Sequence, residues 1–195
     1  MMKLRRHFYL QAANQCAKDF LGKQLVFDGP EGRVAGMIFE VESYPAFVDE
    51  VHHGNKRTSR TEVMYKQGGF AYVYLIYGIW HQFAAVVNEQ DIPDVVFFRG
   101  VIPTEGLLIM RTNFGRDAHH TIELTNSPGK LCKSFGITKE LYGTDLTGDT
   151  LWLEDVGINI NQDLIKRTKR VGINATYQGA DAQLRFWIPP KTIVR

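Results

Sequence analysis

From Lys23 onward the chain breaks into short β-like runs, "KQLVF", "GMIFEVESY", "FAYVYLIYG", "QFAAVV" and "VVFFRGVIP", separated by glycine-containing turns. No other feature constrains the fold as strongly. Parallel neighbours need a crossover of about a dozen residues or more, and several of these runs follow one another too closely for that, so they predict an antiparallel sheet. "TLWLED" and "AQLRFWIP" read as further strands. Helical patterns accompany the sheet. Leu10, Ala13, Ala17, Phe20 and Leu21 recur at helical spacing within residues 10–21, with Gly22 as a stop. "TEGLLIMRTNFG" predicts a helix closed near Gly115, and "SPGKLCKSFGI" a helix with Ser127 as its cap and Pro128 in its first turn.

No repeat, low-complexity tract or linker interrupts the 195 residues, so one domain over 1–195 is expected. With 44% hydrophobic and 23% charged residues, the composition argues against disorder and against a membrane span. The apolar part of the N-terminal stretch is broken by Gln11 and Asn14, which makes a poor secretory signal. Two cysteines, Cys16 and Cys132, are too few for a disulfide framework or a four-thiolate site, and a cytoplasmic setting fits them. A net charge of +2 does not by itself announce nucleic acid. Locally, Lys56, Arg57 and Arg60 precede the tyrosine-rich run and Lys166, Arg167, Lys169 and Arg170 form a second cluster; each reads as solvated surface or as phosphate contacts.

The run "GGFAYVYLIYGIW" is unusual for a buried strand. Tyr72, Tyr74 and Ile76 fall on one face, Val73, Leu75 and Tyr77 on the other, and three tyrosines bring hydroxyls that need partners when buried. In "MIFEVESY", Glu40, Glu42 and Tyr44 share a face opposite Phe39, Val41 and Ser43. Such alternation describes either a solvated face or a carboxylate converging with an aromatic and with the histidines about ten residues on. The pairs His52–His53 and His119–His120 lack any recognised metal-ligand spacing, so no metal is expected. "NSPGKL" lacks the GxxxxGK[ST] pattern, yet a helix beginning there, with Gly129 and Lys130, could receive a backbone phosphate.

Taken in order, "EVESY", His53 nine positions after Tyr44, "YVYLIYG", "FFRGVIPTEGL", "LTNSPGKLCKSFGI" and "RVGI" closely resemble the alkyladenine (3-methyladenine) DNA glycosylase family, the type without a helix-hairpin-helix motif. The resemblance covers roughly residues 8–190. It implies an α+β fold: a single compact domain with a curved antiparallel sheet flanked by helices, and a protruding β-hairpin that enters the minor groove. It also implies a monofunctional enzyme that flips alkylated or deaminated purines out of duplex DNA and hydrolyses the N-glycosidic bond, initiating base excision repair without a cofactor and as a monomer. Glu42 matches the general base, Arg99 the arginine that helps hold the water, and Val171 a residue whose backbone carbonyl does the same. Tyr44, His53 and Tyr74 match the walls that stack on the extruded base, while Tyr72 reads as core.

Tyr77 matches the wedge that fills the vacated duplex, and Met64 a neighbour lodged in the DNA. An aromatic pocket and a wedge are what extrusion demands, because lost stacking is replaced at both ends of the movement. Ala84 departs from the pattern, standing where the family carries a pocket asparagine that discourages a 2-amino group, and this leaves base selectivity open. Phe83 or Trp80 could have taken over that filter. Two other readings compete: a non-catalytic nucleic-acid-binding module on the same fold, and a metal-dependent hydrolase built on the histidine pairs.

Overall fold

The structure, a computed structural model, describes residues 1–48, 50–115 and 119–193. Its hub is β3 (Gly32–Tyr44), whose length lets three strands pair with it at once. One edge pairs with β6 (Val95–Glu105); the other is divided between β2 (Gln24–Gly29), which takes Gly32 to Met37, and β9 (Arg185–Trp187), which takes Glu40 to Glu42. The sheet runs on from β6 through β5 (Trp80–Val86) to β4 (Ala71–Ile76), and from β2 through β7 (Leu151–Asp155) to β1 (Met2–Lys3). A short β8 (Lys166–Thr168) pairs with β9. Every pairing is antiparallel, as the closely spaced runs predict. The β4–β5 hairpin ends in an exposed tip at Tyr77 and Ile79, and α1 (Arg6–Tyr9), α2 (Ala13–Phe20), α3 (Leu107–Phe114) and α4 (Pro128–Phe135) complete an α+β fold.

Residues paired across an antiparallel sheet project from the same face, so register alone sorts side chains into two layers. Val41↔Phe98 and Val73↔Phe83 belong to the layer that meets the helices. There Phe83 stacks on Phe98 at 4.7 Å between ring centroids and Phe20 of α2 stacks on Phe98 at 5.6 Å, forming the main core. Helix α2 buries Ala13, Cys16, Ala17 and Phe20, the i, i+3, i+4, i+7 stripe of an amphipathic helix. Truncating a buried phenylalanine in such a stack costs about 3–5 kcal/mol. Gly100 lies where a Cβ would come within 2.4 Å of the Phe39 ring, so the residue after Arg99 must lack a side chain for β3 and β6 to close.

Several local expectations shift. The helix expected over residues 10–21 is Ala13–Phe20, because Asp94 Oδ2, from the segment leading into β6, accepts the Ala13 N–H at 3.0 Å and starts the helix there. Ser127 occupies the N-cap position of α4, yet its side chain makes no capping bond; Pro128 supplies the start through its fixed φ. Thr104 and Glu105 extend β6 instead of opening α3, which follows Gly106. "AQLRFWIP" yields only a three-residue strand.

Candidate active site

The opposite face of the sheet carries the site. Glu42↔Phe97, Phe97↔Ala84 and Ala84↔Tyr72 are successive register pairs, so these four side chains form one row across β3, β6, β5 and β4. Tyr44 lies two residues along β3, and the pair Tyr74↔Gln82 two residues along the hairpin, each on the same face by the period of the strand. The segment between β3 and β4 folds over this row, bringing His53, Arg60 and Met64 down on it, and Val171 closes the side near Glu42. Together they enclose a cavity of about 410 Å³, the size of a small-ligand site.

Glu42 has no exposed surface, so the solvated-face reading of "EVES" gives way to a buried carboxylate. Its Oε1 accepts the Val171 backbone N–H at 2.8 Å and lies 3.2 Å from Arg99 Nη1, and its Oε2 accepts the Tyr44 hydroxyl at 3.0 Å. Arg99 also donates through Nε to Glu40 Oε1 at 2.8 Å, which receives Arg185 Nε at 2.7 Å. Two carboxylates and two guanidiniums thus neutralise one another beneath the cavity. Desolvation pushes the Glu42 pKa above its usual value and Glu40 adds to the rise, while Arg99, Val171 and Tyr44 pull the other way. A carboxylate with these partners and a raised pKa has the properties of a general base.

The aromatic side chains stand on two sides. Tyr44 is backed by the Arg170 guanidinium, 4.5 Å from its ring centroid. Facing it, Tyr72 and Tyr74 stack at 4.9 Å, and His53 meets Tyr74 edge-on at 5.0 Å. His53 Nδ1 and the Tyr72 hydroxyl are hydrogen-bonded at 3.1 Å. Desolvation, then the charges of Arg60 and His52, hold the His53 pKa down to about 4, so its ring is neutral near pH 7. A neutral ring can lie against a cationic purine without charge repulsion.

Glu42, Tyr44, His53, Tyr74, Ala84, Arg99 and Val171 are therefore brought together around one cavity. Three expected residues lie elsewhere or differently. Met64 is 1% exposed and packs with Tyr72, Ala84 and Phe97, so in this conformation it has no surface to offer a duplex. Tyr77 does not continue the strand opposite Tyr74: β4 ends at Ile76, and Tyr77 (φ 53°) and Gly78 (φ 69°) form the tip, closed by Ile79 N–H donating to Ile76 O at 3.1 Å. Two central residues at positive φ are the backbone of a type I′ hairpin turn. Lys130, in the first turn of α4, lines a neighbouring depression together with Tyr77 and Trp80 and donates to Asn126 Oδ1 at 3.3 Å.

Sequence reasoning passes over several residues here. Tyr72 is buried as expected of core, but its hydroxyl faces the cavity. Ile79, 71% exposed beside Tyr77 at 85%, completes an apolar tip, and the turn sequence alone could have marked it. Gln82 was identifiable from its period-two relation to Ala84. Phe83 points into the main core and Trp80 into the neighbouring depression, so neither narrows the cavity. In the basic clusters, Arg57 pairs with Glu62 and Asp91 on the surface, Lys169 pairs with Asp181, and Arg170 is buried behind Tyr44. Among the described residues no three His, Cys, Asp or Glu side chains gather to hold a metal ion, and no helix is long and apolar enough to cross a membrane.

Residues 7–192 match the methylpurine-DNA glycosylase family. The chain belongs to that family. Among the family's curated members, a Natranaerobius thermophilus protein is 40% identical over 190 residues and a Clostridium novyi protein 36% identical over 196, each alignment covering 96% of both chains. A Bacillus subtilis protein is 35% identical over 184 residues, covering 93% of this chain and 90% of that one. All three are provisionally named 3-methyladenine DNA glycosylases. The family's members and this chain correspond over nearly their whole lengths, so the cavity and the hairpin tip both fall within the shared region.

Proposed function

We propose that residues 1–195 act as one monofunctional DNA glycosylase domain that extrudes alkylated or deaminated purines from duplex DNA and hydrolyses the N-glycosidic bond, opening base excision repair. The observation that carries this reading is the placement of Glu42, a fully buried carboxylate held at the floor of an aromatic cavity. A structural carboxylate would gain nothing from facing a cavity of that size, whereas a base that must meet a water and a sugar carbon requires it.

In the proposed reaction Glu42 orients a water and takes its proton as the water oxygen bonds to C1′ of the deoxyribose. The C1′–nitrogen bond breaks and its electron pair leaves with the purine. Positive charge developing on the sugar is stabilised by the same carboxylate. Arg99 and the Val171 backbone fix Glu42 in place, and we assign both to holding the water as well. A cationic 3-methyladenine departs without further help, while neutral hypoxanthine gains a proton as it leaves. Tyr44 stacks on one side of the extruded base, with His53 and Tyr74 on the other, above Ala84. Tyr77 fills the gap in the duplex with Ile79 beside it, a place Met64 cannot take while buried, and Lys130 meets a backbone phosphate. The two cysteines are buried and unpaired, which supports a reducing, cytoplasmic setting, and the enzyme works as a monomer with no cofactor.

The test is incubation of the purified protein with duplexes carrying one hypoxanthine, ethenoadenine or 3-methyladenine, scored for abasic sites. Abasic product from at least one lesion, undiminished by a chelator, is expected. Failure to release any of them would refute the reading, and loss of activity with a chelator would favour the metal-dependent alternative.

A further inference from the structure

The side chains that line the cavity are mostly committed to one another. Both oxygens of Glu42 are occupied, Arg99 is divided between Glu40 and Glu42, and the Tyr72 hydroxyl is held by His53. Gln82 is different. Its side-chain amide makes no hydrogen bond among the described residues, although the side chain is partly buried against the cavity. Among the described residues it is also the only carboxamide on the lining, and so the only side chain there that presents a donor and an acceptor side by side in one plane.

Its position in the sheet gives that amide a task. Glu42 stands on β3 and Gln82 on β5, two strand spacings apart, about 10 Å. Between them lie Phe97 and Ala84, an apolar floor whose second member projects only a methyl group. With the glycosidic carbon beside Glu42, a purine laid over this floor extends toward β5 and brings its far edge to Gln82. That far edge is the Watson–Crick edge, where hypoxanthine offers N1–H and O6 and an adenine offers N1 and its 6-amino group. Each is an adjacent donor and acceptor, and rotating the amide matches either order. Stripped of its pairing partner and buried, that edge must find a new partner or forfeit its hydrogen bonds.

We infer that the Gln82 amide is the group that reads the Watson–Crick edge of the extruded base, a specificity determinant supplied by this chain's own hairpin. The inference rests on the glycosylase reading of the same cavity and deepens it.

The experiment compares single-turnover release of hypoxanthine and of ethenoadenine by the wild-type protein and by Gln82→Ala and Gln82→Met. The etheno bridge joins N1 to the 6-amino nitrogen and leaves no N–H at that edge, so the amide has less to gain from it. Gln82→Met keeps the length and bulk of the side chain, which guards against a folding defect in the alanine variant. The hypoxanthine-to-ethenoadenine rate ratio is expected to fall about tenfold in both variants, the scale of one lost hydrogen bond to a buried polar edge. A ratio unchanged in both, including a parallel loss on the two lesions, overturns the inference while leaving the functional reading intact. Release of neither base by a wild-type protein that still releases 3-methyladenine overturns this inference alone, and release of none of the three overturns the functional reading with it.

Discussion

Tyr77→Asn should make the protein slightly more stable and a much poorer glycosylase. Tyr77 sits at φ 53° and is 85% exposed, so its backbone is in a region unfavourable to most side chains while its ring packs on almost nothing. An L-residue at that φ costs roughly 1–2 kcal/mol, and asparagine tolerates it best after glycine. Ahead of Gly78 the substitution creates the Asn-Gly pair that a type I′ turn prefers. Little burial is lost, so relief of about 1 kcal/mol should raise the melting temperature by about 2–4 °C in a chain of this length. The wedge is lost at the same time. Stacking by one aromatic on a base contributes roughly 1–3 kcal/mol, which corresponds to about a five- to 150-fold slower excision of hypoxanthine from a fully paired site. Mismatched sites, where extrusion costs less, should lose less. Differential scanning fluorimetry and single-turnover excision on the two duplexes measure both quantities. A melting temperature that falls together with activity would mean that Tyr77 serves the fold, and unchanged excision would mean that the tip does not enter the duplex.

The remaining predictions concern the cavity. Glu42→Gln should remove most excision while leaving lesion-DNA affinity nearly intact, since the amide keeps the shape but cannot take a proton; near-normal single-turnover rates would exclude Glu42 as the base. The pH profile follows from the raised Glu42 pKa: the base works deprotonated, so activity on a cationic lesion should be lost as pH falls through a midpoint above the usual carboxylate value of about 4.3. His53, held down to about 4, is neutral over the upper part of that limb, and a midpoint at or below the usual carboxylate value would contradict the burial argument. Ala84→Asn places a second amide on the floor and should shift the ratio of 7-methylguanine to hypoxanthine excision toward hypoxanthine by about tenfold or more, the scale set by 1–3 kcal/mol of discrimination. The same ratio in both proteins would show that position 84 does not meet the base.

Alternation along a strand is a local property, and it was legible. It put Glu42 with Tyr44 and Tyr72 with Tyr74 on shared faces, and the same period relates Gln82 to Ala84, because successive side chains on a pleated backbone can only point to opposite faces. The antiparallel sheet followed from the spacing of the runs in the same way, and the ordered motifs carried the family. Which face would be core and which would line a cavity was not in the alternation. That was decided when β3 took β6 on one edge and β2 and β9 on the other, burying Glu40 and Glu42 with Arg99 and Arg185 from distant parts of the chain. Charges so buried are tolerable only as a set, and no residue in "EVES" announces partners that lie more than fifty positions away. Met64 was undecided for the same reason: a methionine fits a DNA groove or a cavity wall equally well, and only the tertiary packing sets it against Tyr72, Ala84 and Phe97. Asp94 gives the start of α2 a cap that its own Ala12 cannot provide, and Tyr77 turns out to sit in a left-handed turn instead of a strand. Local periodicity thus assigns side chains to faces, while register between distant strands decides what each face is for.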